Sequence, residues 1–133
     1  MSLSASERSI IVTREIEKAD RTFDDVLFCM KEGKWEAAAN RLYYALFHAV
    51  SALLINDGHE VGTHKGAVIR FHQYYVKTGI FSNEDGAFYS QMQSMRERAD
   101  YNCYYDVTET EIVERLEPTS QLIEKIKEYI GKK

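Results

Sequence analysis

At 133 residues, with 44 % hydrophobic and 29 % charged content, the chain has material for one modest core, so a single domain over residues 1–133 is expected. A formal net charge of -4 and a pI near 5.6 exclude a protein that coats nucleic acid by charge alone, while leaving room for a local basic cleft. No run approaches the roughly 18 apolar residues of a membrane span, the N-terminus lacks a signal-peptide pattern, and Cys29 and Cys103 have neither disulfide-framework nor zinc spacing, which points to a cytoplasmic protein with reduced thiols, no membrane contact and no cofactor.

A single proline, Pro118, and the near absence of strand-like alternation leave long segments with helical periodicity. Val12, Ile16, Ala19, Phe23, Val26 and Met30 recur at spacings of four and three, one apolar stripe on a helix of about seven or eight turns ending near Gly33. A second helix starts around Trp35 and stops at Asn56-Asp57-Gly58, the chemistry of a helix C-terminus and turn. On it Arg41, Tyr44 and His48 share one stripe, while Leu42, Leu46, Ala49 and Leu53 form another about 100° away. Two covered faces make this the central element. Burying a lone guanidinium costs several kcal/mol, so Arg41, Tyr44 and His48 either face a cleft or form a polar seam satisfied inside the bundle, with Asp100 as the partner for Arg41.

Thr63 is placed to cap a third helix, His64 to Lys77, with Val68, Ile69, Phe71 and Tyr75 for packing and Gly79 closing it. His64 and Lys65 fall in its first turn, where amides suit a phosphate and where plain solvent exposure is the competing account. The fourth helix starts at Ser82 or Asn83 and carries Phe88, Met92, Met95 and Ala99 on one stripe, with Gln91, Ser94, Arg98, Tyr101 and Tyr105 beside it. Near its far end Tyr101, Tyr104 and Tyr105, with Asn102 among them, form an aromatic cluster fit to stack on bases, to pack, or to meet a second copy. Thr108 and Glu111 form a capping box for the last helix, on which Ile112, Leu116, Thr119, Ile123, Ile126 and Ile130 repeat and Pro118 predicts a kink or a restart. Four or five amphipathic helices with short connections define an all-α, up-and-down antiparallel bundle. His59, His64, Asp57 and Glu60 match no metal-ligand spacing, and no metal is expected.

The segments Arg41-Leu-Tyr-Tyr-Ala-Leu-Phe-His48, Thr63-His-Lys-Gly66, Phe71 through Val76-Lys-Thr-Gly79, and Arg98-Ala-Asp-Tyr101, in this order and spacing, resemble the HEPN domain family of prokaryotes. The likeness covers residues 5–131 and is to the small stand-alone members. It implies a helical bundle that homodimerises, is encoded beside a minimal nucleotidyltransferase in a toxin–antitoxin or defence module, and in many members cuts RNA without a metal. In active members an arginine is followed, after four to six residues, by a histidine. After Arg98 those places hold Cys103, Tyr104 and Tyr105, and after Arg96 they hold Tyr101, Asn102 and Cys103, so the motif is degenerate. Arg41 and His48 satisfy the spacing, on a different helix from the one the resemblance assigns.

Cleavage needs a cation for the phosphate charge and a proton shuttle, roles that side-chain chemistry suits to Arg98 with Asp100 and that helical phase and antiparallel packing offer to His48 or His64 from a neighbouring helix. Arg41, Tyr44, His64, Lys65, Tyr101 and Asn102 are candidate contacts for RNA or nucleotide, and Tyr104 and Tyr105 are candidates for modification by a nucleotidyltransferase. The expected function is binding of RNA or nucleotide beside that partner. The alternatives are an active metal-independent ribonuclease and a purely structural dimer, in which Arg98 and Asp100 only join an ion-pair network.

Overall fold

Ser4 starts the first helix: its hydroxyl accepts the Glu7 amide at 3.1 Å while the Glu7 carboxylate accepts the Ser4 amide at 2.8 Å. The computed structural model, which describes residues 3–132, runs from there through α1 (Ala5–Lys31) and α2 (Trp35–Asn56). Both helices stop at a glycine that adopts the left-handed region, Gly33 at φ 69° and Gly58 at φ 83°. After α2, Gly58 N–H donates to the Ile55 carbonyl at 3.0 Å and His59 N–H to the Leu54 carbonyl at 2.8 Å, the paired bonds of a Schellman stop. The short link through Gly33 folds α1 back along α2.

α2 is the hub. Ala38, Leu42, Ala45, Leu46, Ala49, Val50, Leu53 and Leu54 are fully buried, and the helix touches each of the other four, so it is covered on more than the two faces its stripes imply. The third segment is not one uniform helix. α3 (His64–Phe71), capped by the Thr63 hydroxyl on the Gly66 amide at 2.9 Å, passes into a π-helical turn at His72–Val76, closed by the Lys77 amide on the His72 carbonyl at 2.8 Å. Ile69, expected in the packing, is 63 % exposed.

Ser82 and Asp85 form a capping box that starts α4 (Asn83–Tyr101), and the Thr108 hydroxyl caps the Glu111 amide at 3.2 Å to start α5 (Glu109–Gly131). The return half of the second box is lacking, because the Glu111 carboxylate takes the hydroxyls of Tyr105 and Thr108 instead. Pro118 causes no restart: α5 is continuous, held on both sides of the proline by buried Ile112, Leu122, Ile123 and Ile126. Five α-helices and no strand make up the described residues, an all-α bundle.

Candidate functional site

Tyr89, Gln93, Arg96 and Asp100 recur along α4 at spacings of four, three and four, and all but Asp100 are buried. Arg96 is only 7 % exposed. Its guanidinium lies 5.0 Å from the ring centre of Tyr43 and 5.9 Å from that of Tyr44, both on α2, and Nη1 donates to Asp100 Oδ2 at 3.1 Å. Two aromatic faces and a carboxylate therefore offset the cost of burying this charge. The Nε of Arg96 is buried and meets no acceptor.

His64, the first residue of α3, closes the cluster from a third helix. Its Nδ1 lies 3.0 Å from the Tyr43 hydroxyl and its Nε2 3.4 Å from the Tyr44 hydroxyl, while its ring centre is 4.6 Å from that of Phe47. A neutral imidazole offers one donor and one acceptor, so one phenol gives a proton to the ring and the other receives one. Burial, and secondarily the Arg96 charge, holds the imidazole below the usual histidine range. Glu97, whose Oε1 accepts Gln93 Nε2 at 3.0 Å, acts on His64 in the opposite sense. Burial pushes the Tyr43 phenol up to about 12 against the pull of Arg96. A fixed cation, a neutral imidazole, two phenols and two carboxylates thus meet between α2, α3 and α4.

Of the residues singled out in the sequence, Tyr44, His64 and Asp100 belong to this cluster, the Tyr101 hydroxyl interacts with the Arg96 guanidinium from the end of the same helix, and Arg41 borders the cluster, its guanidinium 5.2 Å from the Tyr44 ring centre. The pairing of Arg41 with Asp100 is corrected. Arg41 donates to its neighbour Asn40 Oδ1 from Nε at 3.0 Å and from Nη2 at 2.6 Å, and Asp100 serves Arg96. His48 turns to α1, where Nδ1 meets Glu15 Oε2 at 3.1 Å, and only its ring, 6.4 Å from that of Tyr44, reaches toward the cluster.

Arg98 is exposed, with its guanidinium 4.9 Å from the ring centre of Tyr105. Lys65 is exposed on the first turn of α3. Tyr101 and Tyr104 are 79 % and 93 % exposed, Asn102 accepts the Tyr104 amide at 3.0 Å, and half-buried Tyr105 donates to Glu111, so the five-residue stretch from Tyr101 is a surface turn and not one stacked platform.

Sequence reasoning missed Arg96 as a centre, together with Tyr43, Tyr89, Gln93 and Glu97. The signal was present: the four-three-four spacing of Tyr89, Gln93, Arg96 and Asp100 is as regular as the methionine stripe beside it. Arg96 lacks a histidine at the motif spacing within its own helix, and the histidine it meets comes from α3.

The all-α bundle is consistent with a known class of helical domain. The HEPN domain family model matches residues 12–129, and the chain belongs to the HEPN domain family. It is similar to a "UPF0332 protein" of Thermotoga maritima, 30 % identical over 125 residues that cover 94 % of this chain and 95 % of that protein. A "UPF0332 protein" of Archaeoglobus fulgidus is 27 % identical over 117 residues, covering 88 % of this chain and 93 % of the relative. A Methanocaldococcus jannaschii protein whose name is "Putative toxin" is 25 % identical over 115 residues, covering 86 % of this chain and 78 % of that one. No helix among the described residues is long and apolar enough to cross a membrane.

Proposed function

We propose that the chain is the RNA-directed component of a toxin–antitoxin or defence-type two-gene module. In this reading it works as a cytoplasmic homodimer beside a minimal nucleotidyltransferase, and the Arg96 cluster holds a phosphate of RNA or nucleotide. One observation carries the reading: a buried guanidinium with an unpartnered Nε is bound to a single carboxylate, next to a neutral histidine. A phosphate arriving beside Asp100 offers the fork more acceptor oxygens than one carboxylate oxygen does, and Tyr44 and His64 supply neutral groups for the sugar. The toxin in the name of the Methanocaldococcus relative supports the toxin side of the reading.

A second reading, metal-independent cleavage at the same cluster, is favoured by the lowered proton affinity of His64. His64 would take the proton of a 2′-hydroxyl as the 2′-oxygen bonds to phosphorus. The bond from phosphorus to the 5′-oxygen breaks, and the proton returns to that oxygen while Arg96 balances the added phosphate charge.

The test is binding of a labelled oligoribonucleotide and cutting of total RNA in chelator, by the purified chain and its Arg96→Ala, His64→Ala and His48→Ala variants. Arg96→Ala is expected to weaken binding by about tenfold or more, and His48→Ala to leave it unchanged. Cutting lost in His64→Ala with binding retained selects the cleavage reading. Wild-type binding by folded Arg96→Ala overturns the assignment of the site.

A further inference from the structure

Arg98 and Arg115 line one cleft of about 310 Å³ with Ser90, Gln91 and Ser94. Ser90, Ser94 and Arg98 follow at spacings of four along α4, and Arg115 approaches from α5. Each guanidinium is steadied by one contact that uses little of its hydrogen-bonding capacity. Arg98 lies over the Tyr105 ring, and Arg115 Nη1 donates to the Glu111 carbonyl at 2.9 Å.

Among the described residues no carboxylate oxygen lies within ion-pair distance of Arg98 or Arg115, a state they share with most of the chain's basic side chains, so neither charge is neutralised inside the cleft. Glu111, the nearby acid, accepts the hydroxyls of Tyr105 and Thr108. None of the five lining residues is acidic, in a chain of net charge -4. Two guanidiniums sharing a cleft repel each other until an anion lies between them. The remaining lining groups, two hydroxyls and an amide, are neutral donors suited to the same anion.

We infer that the cleft between Arg98 and Arg115 binds a phosphate group, carried by a ribonucleotide strand or by a free nucleotide. The fork of arginine matches phosphate oxygens, and Ser90, Ser94 and Gln91 complete the shell. Arg96 and Arg98 are two residues apart and so point about 200° apart around α4. The cleft is therefore a site separate from the Arg96 cluster and does not depend on the reading given to that cluster.

The experiment titrates the full chain with a short labelled oligouridylate by fluorescence anisotropy over a range of salt, and with ATP by calorimetry. Arg98→Ala, Arg115→Ala, Arg98→Lys and Arg96→Ala are run beside it, each checked by circular dichroism. Either cleft alanine is expected to weaken binding by about fivefold or more and to lower the salt slope by about one, with Arg98→Lys intermediate. Loss confined to the oligonucleotide assigns the strand as ligand, and loss confined to ATP assigns the free nucleotide. Wild-type affinity and salt slope in both folded cleft variants, or binding of neither probe by the unmodified chain, overturns the inference. If only Arg96→Ala weakens binding, the cleft fails and the Arg96 reading stands, whereas if only the cleft variants do, the reverse holds.

Discussion

His64 is held between Tyr43, Tyr44, Phe47, Arg96 and Glu97, and only the last of these favours the charged ring. Its proton affinity is lower in the fold than in the unfolded chain, where the reference value is 6.5. Between the lowered folded value and 6.5 the unfolded chain binds more protons at this position, so the stability His64 contributes is complete above 6.5 and is lost as the pH falls toward the folded value. Urea midpoints of the unmodified chain should therefore climb from acid pH to neutrality more steeply than those of His64→Gln, and the two slopes should agree above neutrality. His48, His59 and His72 are common to both proteins, so the comparison isolates position 64. Parallel curves throughout would mean that the imidazole is as easily protonated in the cluster as in water. A neutral ring at cellular pH is also what a proton acceptor in RNA cleavage needs, so the stability profile bears on the chemistry.

At the scale of elements, the close approach of α4 to the π turn decides a packing geometry that helical stripes do not contain. A Cβ added at Gly86 would lie 2.8 Å from His72 Nε2 and 2.9 Å from Val76 Cγ2. The His72 ring is pinned by Nδ1 on the Val68 carbonyl at 2.9 Å, and Val76 is β-branched, so neither yields easily. Overpacking of about 1–3 kcal/mol exceeds the gain of about 1 kcal/mol from replacing a helical glycine, and Gly86→Ala should lose roughly 1 kcal/mol in chemical denaturation. Gly131→Ala, with open space around its Cβ, should lose nothing. Helix starts and stops were legible in the sequence because Ser82, Thr63, Thr108, Gly33 and Gly58 act through bonds within a few residues. The π turn was not: its close packing on α4 runs past a glycine ten residues beyond Val76, on another helix, a contact no local pattern contains. The restart expected at Pro118 failed because apolar anchors on both sides outweigh one lost backbone bond. Of the candidate site, Tyr44, His64 and Asp100 were readable from motif and phase. Choosing Arg96 over Arg98 required knowing which face of α4 meets α2, a fact of tertiary packing.

Across the whole molecule, three distant parts of the chain meet at one carboxylate. Asp57 Oδ2 accepts the Tyr75 hydroxyl at 2.8 Å and the Tyr129 hydroxyl at 2.9 Å, joining the end of α2 to the π turn and to α5. The two phenol rings meet edge to face with centres 5.9 Å apart, and each also packs on Phe81. Arg8 adds the fourth strut, its Nη1 on the Ile55 carbonyl at 2.8 Å bringing α1 to the same helix end. A carboxylate at a helix C-terminus is electrostatically unfavourable by about 0.3–1 kcal/mol, so Asp57 opposes the dipole of α2 and its stabilising value comes from the phenols. Burial, with the Asp57 bond adding to it, holds the Tyr75 phenol well above its ordinary range, so it remains a donor across the accessible pH range. Tyr129→Phe should cost about 1 kcal/mol, and Asp57→Ala about 2 kcal/mol after relief of the dipole term, because the buried Tyr75 hydroxyl keeps only the Leu53 carbonyl at 3.3 Å. If the three groups act as one tie, the losses are not additive: Asp57→Ala made in the Tyr129→Phe background should cost less by about 1 kcal/mol. Guanidinium unfolding of the four proteins measures the cycle. Additive losses would mean that α2 and α5 are held by their apolar faces alone, and that the phenols satisfy hydrogen bonds at this junction without coupling its helices.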